Sequence, residues 1–336
     1  MQDWWIYRGT GHPHSGILRL PAPPPWRAFD GAPLVPPPSS PDSAAGRRLG
    51  ELHRAVTYQP RQDEVDLVNA ALYLRRPLLI TGKPGVGKST LAYAVAHELA
   101  LGPVLRWSIT SRAALATGLY SYDAIGRLQE ASLHHQLGTS PDSRIGRYLR
   151  LGPLGTALLP YEHPRVLLID EIDKSDVDLP DDLLNVFEEG EYAIPELQRI
   201  AAGQPSVDVP IEGSDELVTV HRGVVRCHAF PLVVMTSNGE REFSPAFHRR
   251  CLRLDLGQPS AEQLSAIVAA HFGTEPTTET ADLIELFLGR RERGTLATDQ
   301  LLNAVYLTVQ TADGERPERD RLADLVLRQL DAGPDS

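Results

Sequence analysis

Residues 76–90 read RPLLITGKPGVGKST, a run that dictates its own local structure. Leu78, Leu79 and Ile80 have the apolar continuity of a buried strand, glycines follow at once, and residues 90–99 show helical spacing. Gly82, Lys83, Pro84, Gly85, Val86, Gly87, Lys88 and Ser89 fill the pattern G-x-x-x-x-G-K-[ST], and Thr90 closes the loop onto the helix. In such a loop the glycines let backbone N–H groups turn inward around phosphate oxygens, while the helix points its positive end at the same charge. Lys88 is the expected partner of the β- and γ-phosphates, and Ser89 is an expected Mg²⁺ ligand. A strand, this loop and a helix, followed by a second strand at 104–109, predict a parallel α/β sheet.

A second motif supplies what the loop lacks. VLLIDEIDKS at 166–175 is a buried-strand run ending in Asp170, Glu171 and Asp173. Open α/β sheets bind ligands at the carboxyl ends of their strands. There, Asp170 is expected to hold the Mg²⁺ water shell, and Glu171 to polarise the water that attacks the γ-phosphate. PLVVMT at 231–236 reads as another core strand, and Ser237, Asn238 and Gly239 follow it. That places an amide at a third carboxyl end, although Asn-Gly also suits a plain turn.

Composition narrows the remaining choices. A chain of 336 residues has room for about two domains. Its formal charge of −11 argues against a surface that holds nucleic acid by neutralising phosphates, so direct nucleic-acid binding is not expected. Cys227 and Cys251 are too few for a disulfide framework and read as buried apolar residues. The chain contains neither an 18-residue apolar run nor a signal-peptide pattern, and it reads as cytoplasmic.

Ten of the 28 prolines fall in residues 1–45, which excludes regular helix there. PAPPPW and VPPPSSP favour extended polyproline conformation, yet Trp4, Trp5, Tyr7 and Trp26 are much aromatic area for a solvated linker. Docking on this chain or on a neighbour is as consistent as a free arm. The expectation is a peripheral element outside the core, removable without loss of folding. A helix is expected at 62–74 and another at 122–137, hairpins within 192–230, and helices alone from 260 onward.

With 82–89, Asp170 and Glu171, Asn238 and the pair Arg249 and Arg250 in this order before a helical tail, the chain resembles the AAA+ ATPases. Within them it looks most like the MoxR branch, through GLYSYDAIGRL (118–128), GPLGTALLP (152–160) and TSNGEREFSPAFHRRC (236–251). The resemblance covers about 47–331. It implies a five-stranded parallel αβα core at 47–257, a helix-two insertion at 118–137 and a pre-sensor hairpin within 192–230. It further implies an all-helical lid at 258–331 with a short tail at 332–336, leaving 1–46 as an N-terminal arm.

The same resemblance implies Mg²⁺ and ATP as cofactors and a ring, usually of six subunits. Asn238 would be the sensor that positions the attacking water. Arg250, or Arg249 in its place, would be the finger offered to a neighbour's nucleotide, and Arg293 would be a second sensor at the lid. Members commonly act with a von Willebrand factor A-type partner to remodel other proteins. The opening stretches YRGTGHPHSGI and PPPWRAFDG resemble those of such ATPases in actinobacterial multigene conflict systems. Two other functions remain compatible with these residues: a nucleotide-gated switch or scaffold, and a DNA-directed motor, perhaps using GTP.

Overall fold

In the computed structural model, helix α1 (Gln62–Leu74) leads directly into strand β1 (Leu78–Thr81), and α2 (Lys88–Glu98) begins inside the glycine-rich loop and crosses over to β2 (Leu105–Ser108). The structure describes residues 2–37, 52–53, 55–137, 144–272, 278–291, 296–310 and 326–327. Ahead of α1, residues 52–53 and 55–57 are helical.

Between β2 and the next core strand the chain makes the expected excursion. A short helix α3 (Leu115–Leu119) runs into β3 (Tyr120–Tyr122), α4 (Ala124–Leu137) follows, and β4 (Leu149–Leu151) returns antiparallel to β3 before α5 (Pro153–Ala157). Two glycines join the ends of this excursion. A Cβ at Gly155 would meet the Leu119 carbonyl oxygen at 1.9 Å, and Gly152 N–H donates to that same oxygen over 2.9 Å.

The core resumes with β5 (Val166–Asp170), all five residues buried, and α6 (Leu179–Glu189), which stops at Gly190 in left-handed conformation. Residues 191–226 form a four-stranded antiparallel sheet from β6 (Glu191–Ala193), β7 (Ser206–Pro210), β8 (Leu217–His221) and β9 (Val224–Arg226), in the order β6-β9-β8-β7. A helix α7 (Pro195–Ile200), which the strand-like spacing of this region did not predict, sits between its first two strands. Strand β10 (Leu232–Ser237), helix α8 (Pro245–Arg250) and β11 (Leu252–Asp255) complete the core.

The central sheet is five-stranded and all parallel, in the order β11-β1-β10-β5-β2. Its alternating side chains feed two separate cores, as a sheet covered on both faces requires. Leu79, Leu167, Ile169, Val233 and Met235 face the inserted elements, while Leu78, Ile80, Leu168 and Val234 face α1 and α2. Three helices, α9 (Ala261–Phe272), α10 (Thr278–Arg291) and α11 (Thr298–Gln310), then close around their own cluster of Leu264, Val268, Phe287, Leu301 and Val305. The chain is thus an αβα core followed by a helical subdomain. Of the last part of the expected lid, residues 311–331, only 326–327 are described, and the expected 332–336 tail lies wholly outside the described residues.

Residues 2–37 correct the reading of a peripheral arm. They form a strap across the core, with only two 3₁₀ turns of regular structure at Ser15–Arg19 and Pro25–Arg27. Trp5, Ile6, Tyr7 and Ile17 are buried in the same cluster as Val68, Leu72 and Leu91. Asn69, fully buried on α1, serves the strap's backbone as a neighbouring strand would: its Oδ1 accepts from Ile6 N–H (2.7 Å) and Tyr7 N–H (3.0 Å), and its Nδ2 donates to the Tyr7 carbonyl (2.7 Å).

At the far end of α2, the wholly buried Glu98 carboxylate accepts from the N–H groups of Arg8, Gly9, Thr10 and Gly11 and from His14 Nε2. His14 Nδ1 accepts from Gly16 N–H, so Nε2 carries the proton given to Glu98. Further along, Phe29 stacks on Phe230, Gly31 N–H donates to the Cys227 carbonyl, and Val35 pairs with Tyr161. Proline density correctly ruled out helix, but it carried no information about whether the backbone's polar groups find partners. Here they do, on side chains and carbonyls of the core.

Candidate active site

The carboxyl ends of β1, β5 and β10 meet at one cleft of about 700 Å³. Pro84 to Thr90 line its floor, and Asp170, Glu171, Thr236 and Asn238 line one wall. The loop's shape depends on glycine: Gly85 and Gly87 have φ of 77° and 93°, and a Cβ on Gly85 would stand 2.2 Å from the Ala297 Cβ. That close approach brings the helical subdomain onto the loop, where Thr298 N–H donates to the Gly85 carbonyl.

Lys88, 8% exposed, donates to the carbonyls of Gly82 (2.7 Å) and Lys83 (2.9 Å) and to Asn238 Oδ1 (2.7 Å). Burial lowers its pKa, while Asp173, Asp170 and Glu171 oppose that shift. Asp170 behaves in the opposite way. Burial alone would raise its pKa, but hydrogen bonds from Ser89, Thr236 and Arg106 hold it below the usual carboxylate value. Its Oδ1 lies 2.7 Å from both Ser89 Oγ and Thr236 Oγ1, and its Oδ2 lies 2.6 Å from Arg106 Nη2.

Glu171 leaves the strand in left-handed conformation (φ 62°), its N–H bonded to Thr236 Oγ1 and its carboxylate paired with Lys174 at 2.8 Å. Asp173 turns back under the neighbouring strand end. Its Oδ2 accepts from the N–H groups of Asn238 (2.8 Å) and Glu240 (3.2 Å). The far part of the cleft is bounded by His53, Thr57, Tyr58 and Arg61 on one side and by Ile267, His271 and Leu302 on the other. Tyr58 Oη donates to the buried Glu64 (2.6 Å), which Arg61 also contacts (3.1 Å).

A phosphate-sized cradle of glycine backbone, one buried ammonium, an ionised carboxylate touching a hydroxyl, and an open slot beneath helices form a nucleotide-handling arrangement. Residues 77–251 match the family described as AAA domain (dynein-related subfamily). The chain belongs to that family. A comparison with proteins of curated function returned no significant match.

In this AAA domain the predicted site residues divide into three groups. Residues 84–90, Asp170, Glu171 and Asn238 line the cleft, and Gly82 and Lys83 sit behind it with their carbonyls on Lys88 Nζ. Arg249 and Arg250 stand apart from it, at the end of α8: Arg249 is exposed, and Arg250 Nε is 3.2 Å from Glu188 Oε1. Their carbonyls accept from the Arg76 guanidinium, which ties the end of α8 to the start of β1. Arg293 lies outside the described residues.

Several residues of the site escaped the sequence reading. Thr236 bridges Asp170 and the Glu171 backbone, Arg106 pairs with Asp170 from β2, and Ala297 and Thr298 touch the loop. Each works across a strand pairing or a subdomain contact, which no local pattern announces. Asp173 was visible in the motif but had no role until β10 was seen beside it. Among the described residues no helix is long and apolar enough to cross a membrane.

Proposed function

We propose that this AAA domain protein is a MoxR-like ATP hydrolase that assembles as a ring of six and couples turnover to remodelling or activation of a partner protein. The observation that carries the reading is the convergence of Lys88, Ser89 with Asp170, Glu171 and Asn238 on one cleft roofed by the helical subdomain. The donor set suits Mg²⁺, a hard cation that favours carboxylate and hydroxyl oxygens and keeps several waters. Ser89 and Asp170 would hold it there, where it would neutralise charge on the β- and γ-phosphates.

Lys88 gives up Asn238 Oδ1 and the loop carbonyls for phosphate oxygens, which frees the Asn238 amide to position the attacking water. Glu171 accepts the proton of that water once its contact with Lys174 loosens; the pair is exposed and therefore weak. Arg250, or Arg249, acts on a neighbour's phosphates rather than on this chain's own, since neither lines this cleft. The MoxR assignment draws support from the packing of 118–128 against 152–160 through Gly152 and Gly155, two of the three segments in which the resemblance lies. ATP as the nucleotide, and a von Willebrand factor A-type partner, follow from that resemblance.

Glu171→Gln tests the reading. It should leave ATP binding intact, lower steady-state turnover by about a thousandfold, and hold the protein as an ATP-bound hexamer by mass measurement. Turnover within a few-fold of the unaltered protein would remove Glu171 from the mechanism, and a monomer at every nucleotide state would remove the ring.

A further inference from the structure

The strap and the arginine at the end of α8 share one carboxylate. Arg27 lies just beyond the tryptophan of PPPW, with its side chain 6% exposed. Its Nη1 donates to the Phe187 carbonyl (2.7 Å) and its Nη2 to Glu188 Oε1 (3.1 Å). The same Oε1 receives Arg250 Nε at 3.2 Å. Around it, Phe29 stacks on Phe230 at 5.7 Å, and Phe187 meets Phe230 edge-on, so the strap segment bearing Arg27 is fixed by aromatic packing.

We propose that the strap is a positioning element for the interface arginine: Arg27 fixes Glu188, and Glu188 holds the Arg250 guanidinium ready for the adjacent subunit's nucleotide. The inference rests on the proposed role of Arg250 in trans. The two contacts differ in a way that suits this division. Arg27 is buried and also bound to a backbone carbonyl at the C-terminal end of α6, where a cation is favoured, so its hold on Glu188 is the firmer of the two. Arg250 keeps 36% of its side chain exposed, and an exposed pair is weak and readily exchanged for phosphoryl oxygens.

The backbone of Arg250 is held independently, through its carbonyl, by Arg76 Nε at 3.2 Å. Arg27 and Arg250 thus share a single carboxylate, with Arg76 close by, and leave an excess of positive charge on that face. A polyanion brought by a second copy of this chain fits such a face. Arg27 is then a positioning residue, touching no nucleotide itself.

The test uses the full chain and compares R27M, E188Q and R250A. R27M should lower turnover by about ten- to a hundredfold, the cost of misplacing a catalytic group by about 1 Å, without changing the KM for ATP. E188Q should act in the same direction, and because Glu188 is half exposed this variant checks the case in which R27M fails to fold. R27M subunits mixed with K88A subunits, which have dead sites but intact fingers, should recover activity; R27M mixed with R250A should not.

A merely structural Arg27 would give no such asymmetry between mixtures. Full turnover in R27M and E188Q beside a dead R250A would overturn the inference alone. Failure of K88A subunits to rescue R27M while they rescue R250A would overturn it too. Full turnover in R250A would instead overturn the finger reading on which it rests.

Discussion

Asp173 shows how one side chain can link two strands of the site. It leaves β5 three residues after Asp170, yet its Oδ2 carries the N–H groups of Asn238 and Glu240 beyond β10. Its Oδ1 is buried without a hydrogen-bond partner, and it is the largest of the charges opposing the lowered pKa of Lys88. An unbonded buried oxygen is costly, and here its carboxylate lies near enough to the loop's cation to interact with it electrostatically. Asp173→Ala should therefore release the 238–240 turn and lower turnover by about tenfold or more while ATP affinity changes little. Equal losses in turnover and affinity would mean that Asp173 serves the fold alone. Residues 82–90, Asp170 and Glu171 were legible beforehand because each motif is contiguous and chemically specific. Thr236 and Arg106 were not, since their partner is Asp170 on the neighbouring strand.

At the scale of elements, the strap is where composition misled. Proline excludes helix through its missing N–H, and that much held: only 3₁₀ turns occur between residues 2 and 37. What composition could not reveal is that Asn69 and Glu98, on two different helices, supply the hydrogen bonds that a strand partner would give. The available hints were the aromatic side chains of the strap itself and an amide on the buried face of α1, beside Val68, Ala71 and Leu72. Asn69→Leu would strand the N–H groups of Ile6 and Tyr7 and the Tyr7 carbonyl in an apolar core. At about 1–3 kcal/mol for each unsatisfied group, it should destabilise the chain by several kcal/mol and lower its thermal midpoint markedly. A midpoint within a degree or two of the unaltered protein would show that the strap contributes little to stability. The helix expectation at 62–74 was met because periodicity is a local signal; α7 was missed because its six residues are too few to show a period.

For the molecule as a whole, the decisive contact is between the glycine-rich loop and the helical subdomain. Gly85 has φ 77° and no room for a Cβ against Ala297. Gly85→Ala should push residues 296–305 away from the loop, weaken ATP binding by about tenfold or more, and accelerate amide hydrogen exchange in α11 while β1 and β10 stay protected. Unchanged exchange in α11 would mean that the loop absorbs the added methyl group. The strap has a different consequence at this scale, one of timing. Residues 2–37 leave the ribosome ahead of everything they bind: Asn69, then Glu98, then Glu188 and Cys227 near the middle and far end of the core. Until those appear, Trp5, Ile6 and Tyr7 have no surface to bury. The proline-rich composition that hides the strap's role in the sequence also suits this wait, since an extended polyproline segment with few backbone donors offers other nascent chains little to pair with as a β-strand.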